Sequence, residues 1–240
     1  MFKSLDNWLE NRRIKAMDFT VEQWESAIAD WAVMERYKGS ERDNLREMSF
    51  HFLARKGIAP GGEFEFTDAM CLKLATMACV PILHLGLDWY DHCQTIILYE
   101  GDFIANHPYQ SEDGVVHAEG RGLSGEAWQR GPLILSWESI LETGAHARHG
   151  KASNVVIHEF AHKLDMNGAP PMHPDMKPGK WHDIFTATFQ RLENDWQHNK
   201  HLPLDEYALT NPAEFFAVCS ETFFESPTMM KKKMPEIYRL

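Results

Sequence analysis

The chain lacks several features that would place it in other classes of protein. No apolar run approaches the roughly 18–20 residues that a membrane helix needs, and the first residues contain no uninterrupted apolar stretch typical of a secretory signal. The four cysteines are scattered, without the C-x-x-C spacing of a metal-binding or redox pair. We therefore expect a cytoplasmic protein that has no disulfide framework.

The sequence also lacks an excess of basic residues over acidic ones. The sequence has 24 Lys and Arg against 35 Asp and Glu, which gives a formal net charge of −11 at pH 7. Nucleic acids and anionic membranes select basic surfaces, so we expect neither direct nucleic-acid binding nor membrane binding. The short basic clusters at residues 12–15 and 231–233 are expected to be solvated.

Apolar residues, in contrast, are abundant. Hydrophobic residues make up 44% of the 240 positions, and no repeat or linker is visible, so we expect one domain over residues 1–240. Trp24, Ile28 and Trp31 lie at helical spacing and predict a helical N-terminal part, roughly residues 1–85. The alternative for these tryptophans is an exposed surface for a partner.

The periodicity changes in the middle of the chain. Residues 95–99 and 132–137 are short runs typical of strands, and residues 114–119 form a weaker one. They predict a small mixed sheet, with Gly122 and Gly125 among its turn residues, and hence a mostly helical protein of the α+β class. We expect residues 132–137 to form an exposed edge strand that could hold an extended peptide.

The most informative motif is H-E-x-x-H at residues 158–162. On a helix, His158 and His162 project from the same face and can reach one ion. Neutral imidazole is a ligand of Zn²⁺, and a catalytic zinc leaves one position open for water. Glu159 lies about 100° around the helix from His158, where it could act as a general base on that water. The motif therefore predicts a zinc site.

The residues around this motif favour a real site over a chance match. Ile157, Phe160 and Leu164 lie on the opposite side of the helix, which predicts one buried face. Polar groups on the other face of a buried helix need partners, and a metal ion is one. We expect Asp165 to be a hydrogen-bond partner near His162, since a fourth protein ligand would close the site. The alternative is an exposed carboxylate.

A catalytic zinc needs a third protein ligand, and two carboxylates compete for that role. Asn211 followed by Pro212 predicts a helix start, which places Glu214 at the third helical position. There Glu214 could instead reach back to the cap in a capping box. Glu221, two turns later on the same face, could be the ligand, a hydrogen-bond acceptor or an exposed carboxylate. Spacing alone does not choose between them.

These residues resemble the Mlc titration factor A family of bacterial zinc peptidases. The resemblance is carried by residues 87–90, 131–137, 158–165, 207–214 and 211–218. It implies a zincin-like fold, because the catalytic core of the family is similar to that of anthrax lethal factor. It also implies that Glu214 is the third zinc ligand and that Tyr207 donates to the oxyanion of the reaction. The alternative for Tyr207 is packing at the start of a helix.

The resemblance implies two functions of different classes. One is zinc-dependent hydrolysis of short peptides, with aminopeptidase-like activity. The G-x-M-E-N segment of many zinc aminopeptidases is absent, so exopeptidase and endopeptidase activity both stay open. The other is regulation, because enteric members of the family bind the glucose-regulated repressor Mlc. A purely structural zinc site is disfavoured, since such sites are usually closed by four ligands rich in Cys.

Overall fold

The N-terminal part of the protein consists mostly of helices, with one short strand. The computed structural model describes residues 2–104, 122–123, 125–127, 131–144, 153–166 and 177–240. Its first helices are α1 (Phe2–Met17), α2 (Val21–Ala27), α3 (Ser40–Arg55) and α4 (Asp68–Cys79), with 3-10 turns at Ala32–Arg36, Val80–Ile82 and Leu87–Tyr90. Helix α3 packs against α1 and α4, while α2 packs against α4.

The tryptophans of this part belong to the core. Trp24, Ile28 and Trp31 are almost fully buried, and the indole Nε1 of Trp24 donates a hydrogen bond to Thr76 Oγ1 at 2.9 Å. They share one apolar cluster with the inner residues of the sheet and of the H-E-x-x-H helix. The alternative of an exposed partner surface at Trp24 and Trp31 is therefore wrong.

The sheet is small and mixed, as predicted. The described strands are β1 (Gly57–Pro60), β2 (Thr95–Tyr99), β3 (Phe103–Ile104), β4 (Gly122–Leu123), β5 (Gly125–Ala127) and β6 (Leu133–Ser136). The main sheet has the order β1-β2-β6-β5. Strands β1, β2 and β6 run parallel, and β5 pairs antiparallel with β6. A separate antiparallel pair joins β3 and β4.

Two expectations about the sheet were wrong, and one strand, β1, was not predicted. Strand β6 is an internal strand between β2 and β5, so residues 132–137 offer no free edge for a peptide. Gly122 and Gly125 lie in strands rather than turns. Strand β1 interrupts the helical N-terminal part. Its pairing tolerates Pro60, because an edge strand needs only one of its two rows of backbone hydrogen bonds.

The C-terminal part is again helical. It contains α5 (Trp137–Leu141), α6 (Val155–Met166), α7 (Pro178–Gln197), a 3-10 turn at Glu206–Leu209, α8 (Pro212–Glu225), α9 (Pro227–Lys233) and α10 (Pro235–Tyr238). Residues from α7 to α10 form a second apolar cluster, which includes Leu192, Phe215 and Met230. Helix α6 belongs to the first cluster and packs against α8 and β5. The site lies where these elements meet.

Three further expectations concern the strand at residues 114–119, membrane-spanning helices and the fold class. The weak strand at residues 114–119 lies outside the described residues. The helices in the described part of the chain include none with both the length and the apolarity needed to cross a membrane. The protein is thus mostly helical with a small sheet, which confirms the α+β class.

Candidate metal centre

Helix α6 presents the H-E-x-x-H motif on one face and its apolar residues on the other. Ile157 and Phe160 are fully buried in the first apolar cluster. The side chains of His158 and His162 keep 12% of their surface exposed. The amphipathic pattern predicted from the sequence therefore directs the two imidazoles toward the neighbouring helix α8 and away from the core.

Three donor atoms converge between α6 and α8. The Nε2 atoms of His158 and His162 lie 3.1 Å apart. The Oε2 atom of Glu214 lies 2.9 Å from Nε2 of His158 and 3.3 Å from Nε2 of His162. Ligand atoms bound about 2.0–2.1 Å from a tetrahedral zinc are about 3.3–3.4 Å apart. The three separations are close to that value, and these residues form a group able to hold a metal ion.

The start of α8 explains the position of Glu214. The side-chain oxygen of Asn211 accepts a hydrogen bond from the backbone N–H of Glu214 at 2.9 Å, and Pro212 occupies the first helical position. The carboxylate of Glu214 contacts the two histidines instead of forming a capping box. Burial opposes its charge, but the histidines hold the pKa of Glu214 well below its usual range.

Glu221 holds His158 from the opposite side. Its Oε1 lies 2.7 Å from Nδ1 of His158, and its Oε2 accepts the backbone N–H of Asn154 at 2.6 Å. A carboxylate at Nδ1 requires the proton there, so that the lone pair of Nε2 points toward Glu214 and His162. The two carboxylates that spacing could not separate thus contact different nitrogens of the same imidazole.

The contacts of His158 show whether His158, His162 and Glu214 suit a metal ion. Burial opposes protonation of His158, but the charges of Glu221 and Glu214 raise its pKa well above the usual range. A lone pair of His158 that faces a carboxylate oxygen at 2.9 Å is repulsive unless a proton or a cation lies between them. Two imidazoles and a carboxylate suit zinc and other divalent transition metals. The donor set fits such an ion.

Glu159 is the buried carboxylate beside this group. It is only 6% exposed, and burial raises its pKa despite the opposing effect of His158 and His162. Strand β5 closes one side of it, because a Cβ atom placed on Gly125 would lie 2.5 Å from Glu159 Oε1. The carboxyl group therefore occupies a narrow space between α6 and β5.

Tyr207 lies at the exposed margin of the centre. It belongs to the 3-10 turn before α8, and the carboxylate of Asp205 accepts its backbone N–H at 3.0 Å. Its ring centroid is 6.0 Å from that of His158, and half of the residue surface is exposed. This turn therefore places the phenol ring beside the imidazole of His158.

Asp165 is partly buried one turn beyond His162. Burial raises its pKa, and the charge of His162 acts in the opposite direction. The described hydrogen bonds of the two imidazole rings join the rings to each other and to the carboxylate oxygens of Glu214 and Glu221. The proposed role of Asp165 as a hydrogen-bond partner stays a prediction.

Sequence reasoning missed two residues that border the centre. One is Gly125, which approaches Glu159. The other is Asn154, which precedes α6 and accepts the backbone N–H of Ile157 through its side-chain oxygen at 3.0 Å. An Asn directly before an apolar helical segment is a capping signal, so Asn154 could have been found. No local pattern marks Gly125, because its contact joins residues far apart in the chain.

Comparison with known proteins assigns the chain to a family. A family model described as glucose-regulated metallo-peptidase M90 matches residues 5–240. This match over nearly the whole chain makes the protein a metallopeptidase by class. The chain belongs to the glucose-regulated metallo-peptidase M90 family, which confirms the resemblance found in the sequence.

Several relatives share a single name. The chain is 31% identical over 223 residues to Mlc titration factor A of Escherichia fergusonii, covering 90% of this chain and 82% of that protein. It is equally similar, with the same coverage, to Mlc titration factor A of Cronobacter sakazakii. The Salmonella agona protein of the same name is 29% identical over 235 residues, or 94% of this chain and 87% of that one.

Proposed function

We propose that the protein is a zinc-dependent peptidase with aminopeptidase-like activity on short peptides. The observation that carries this proposal is the convergence of His158, His162 and Glu214 beside the buried carboxylate of Glu159. These three residues would hold the zinc, and membership of a metallopeptidase family supports the assignment. We also propose that residues 1–240 form one zincin-like domain, with a helical part over roughly residues 1–85.

The roles follow from the chemistry of each side chain. When bound, zinc would supply Lewis acidity toward a water molecule and toward the carbonyl of the scissile bond. Glu159 takes up a proton at its carboxylate as the carbonyl is attacked and returns it to the leaving amine. Its raised pKa suits both transfers, since the base must later act as an acid.

The supporting residues position these groups. Glu221 accepts the Nδ1 proton of His158, which orients the imidazole and increases its basicity as a ligand. Tyr207 donates its hydroxyl proton in a hydrogen bond to the developing oxyanion. Asp165, whose charge interacts with that of His162, would be a hydrogen-bond partner close to this ligand. Substrate binding is expected beside the three donor atoms, where α6, α8 and β5 meet.

The first experiment measures the zinc content of the purified protein together with the hydrolysis of aminoacyl and blocked-peptide chromogenic substrates. We expect about one zinc per chain and turnover that a chelator abolishes. Faster cleavage of substrates with a free amino terminus would support the aminopeptidase-like activity. Preference for blocked peptides would assign endopeptidase activity instead.

A matched pair of variants tests the mechanism. Glu159→Gln should retain zinc and lose turnover by several orders of magnitude, because the base is gone while the two histidines and Glu214 are intact. Glu47→Gln makes the same change on the exposed side of α3 and should leave both properties unchanged. Full activity in Glu159→Gln would refute the assigned mechanism.

The shared name of the relatives favours a second candidate function. They are called Mlc titration factor A, which supports the proposal that this protein binds a transcriptional repressor of the Mlc kind and acts without contacting nucleic acid itself. A purified repressor of that kind should be retained by immobilised Glu159→Gln protein, because docking does not require turnover. Absence of binding to both wild type and Glu159→Gln would count against this function.

A further inference from the structure

Asn154 makes four hydrogen bonds at the start of the helix that carries the two histidines, one of which its backbone carbonyl accepts from the N–H of His158 at 2.9 Å. The residue is fully buried. Its side-chain oxygen accepts the N–H of Ile157 at 3.0 Å, and its side-chain amide donates to Glu225 Oε1 at 2.7 Å. Its backbone N–H donates to Glu221 Oε2 at 2.6 Å. One residue therefore caps α6 and joins it to α8 at two points.

The two acceptors are spaced to fix one helix against the other. Glu221 and Glu225 are four residues apart on α8, so both face the start of α6. Contacts at two points one turn apart restrict sliding and rotation of α6 along α8. Because α6 carries His158 and His162 while α8 carries Glu214, this register sets the distances among the three donor atoms.

Electrostatics favours this arrangement. The N-terminus of a helix carries partial positive charge, which stabilises carboxylates near it. Both oxygens of Glu221 are used, one by Asn154 and one by Nδ1 of His158. The carboxylate that orients His158 is thereby held in one rotamer. Asn154 is thereby linked to His158 through Glu221 and also through the hydrogen bond from the N–H of His158 to its own carbonyl.

Residues of the N-terminal part also hold Glu225, the second acceptor on α8. The indole Nε1 of Trp31 donates to Glu225 Oε1 at 2.9 Å, so this oxygen receives hydrogen bonds from both Trp31 and Asn154. Arg36 also donates to the backbone carbonyl of Phe224, the residue before Glu225. Glu225 is therefore held by Trp31 of the first apolar cluster as well as by Asn154 at the start of α6.

We propose that Asn154 is a positioning residue for the metal centre, acting through Glu221 and Glu225 to fix the register of α6 on α8. The proposal rests on the proposed function, because it concerns the affinity of His158, His162 and Glu214 for zinc. Partners that orient metal ligands typically change metal affinity about 10-fold to 100-fold when they are altered. Asn154 should therefore affect zinc affinity without touching the ion.

Asn154→Asp tests the role of the side-chain amide of Asn154, which donates to Glu225. The substitution keeps an oxygen that can cap α6 but places a carboxylate oxygen against Glu225, where an amide donor had been. We expect the dissociation constant for zinc, measured by competition with a chromogenic chelator, to rise about 10-fold or more. Adding Glu225→Gln removes one of the opposed charges and supplies a new donor, so the double variant should recover most of the affinity.

A control separates this effect from simple loss of helix capping. Thr67 caps α4 through its hydroxyl, at a site without contacts to the three donor atoms. Thr67→Ala should lower the melting temperature of the metal-free protein while leaving the zinc dissociation constant within about twofold of wild type. The comparison is made well below the melting temperatures of all variants.

Each outcome bears on one proposal or on both. Weaker zinc binding in Asn154→Asp that the double variant recovers would support the positioning role. The positioning role would be overturned if Asn154→Asp bound zinc as tightly as wild type, or if the double variant did not recover the lost affinity. In either case, zinc-dependent turnover by the wild type would still support the proposed function. A wild-type protein that neither binds zinc nor hydrolyses the chromogenic substrates would overturn both.

Discussion

Gly125 is placed where no side chain can be accommodated without moving Glu159. A methyl group there would lie 2.5 Å from Oε1 of Glu159 and 2.8 Å from its Cδ. We expect Gly125→Ala to displace the carboxyl group and to lower kcat about 100-fold, since misplacement of a reacting group by about 1 Å costs about that much. Zinc content should be unchanged, because Gly125 does not contact the three donor atoms.

Gly179 provides the matched control for that prediction. It lies in the first turn of α7, and a Cβ atom there would meet nothing within 4 Å. Gly179→Ala should therefore retain full kcat, with equal or slightly higher stability because alanine favours helix. Full activity in Gly125→Ala as well would show that Glu159 can leave its present position without loss of function.

Tyr207 allows a second prediction for a single residue. Tyr207→Phe removes only the hydroxyl and keeps the ring that lies 6.0 Å from the His158 ring. Loss of an oxyanion donor typically lowers kcat about 100-fold to 1000-fold, and we expect that range with normal zinc content and similar KM. Steady-state kinetics would check it, and unchanged kcat would leave Tyr207 with a packing role only.

Helix α1 is joined to α3 by a partly buried carboxylate. Glu10 Oε1 accepts from Arg55 Nε at 2.9 Å and from His51 Nδ1 at 2.6 Å. Burial opposes ionisation of Glu10, yet the hydrogen bonds from Arg55 and His51 hold its pKa below the usual value. The ionised carboxylate therefore stabilises the folded state above its ordinary pKa, and this contribution is lost as pH falls through the lowered value.

Glu10→Gln should show this contribution directly. We expect a loss of about 1 kcal/mol in the free energy of unfolding at pH 7, a modest value because Arg55 and His51 remain partly exposed. The difference from wild type should shrink toward zero as pH falls below about 4. Urea unfolding at several pH values would measure it, and a difference independent of pH would contradict the ionic origin.

Helices that begin with a capping residue could be predicted from the sequence, because the cap and the N–H that it binds are three residues apart. A strand such as β1, which depends on pairing with residues far away in the chain, could not. Thr67 and Asn211 each start a helix through a bond to a backbone N–H three residues later, and that pattern is visible in sequence. Strand β1 carries no comparable signal. It exists because β2 supplies hydrogen bonds, such as Gly57 N–H to the carbonyl of Gln94 at 2.9 Å.

The same distinction applies to the centre. The spacing of His158 and His162 is local, so the helix itself predicts that they share a face. The choice between Glu214 and Glu221 depends on how α8 lies against α6, which no spacing within α8 encodes. The family resemblance named Glu214, and the structure shows why both carboxylates looked suitable, since each contacts a nitrogen of His158.

At the scale of the whole molecule, the centre joins two apolar clusters. His158 and His162 extend from a helix of the first cluster, and Glu214 from a helix that contributes to the second. Zinc bound only by the folded protein would add about 2.7 kcal/mol to its stability at a free concentration 100 times the dissociation constant. Each kcal/mol corresponds to about 2–4 °C in a protein of this size.

We therefore expect removal of zinc to lower the melting temperature by about 5–11 °C. Addition of zinc to the metal-free protein should restore it, whereas the same concentration of Mg²⁺ should not, because Mg²⁺ prefers oxygen ligands. Scanning calorimetry of the two forms would check this. Equal melting temperatures with and without zinc would contradict a site shared by the two clusters.

The order of these elements along the chain has a consequence for biosynthesis. Both histidines and Glu159 are translated before the residues of α7 and α8. A nascent chain that has folded its sheet and α6 still lacks the carboxylate of Glu214 and the hydrogen-bond acceptor Glu221. Because Glu214 and Glu221 follow α6 in the chain, the three donor atoms and the acceptor of His158 can come together only after most of the protein has been synthesised.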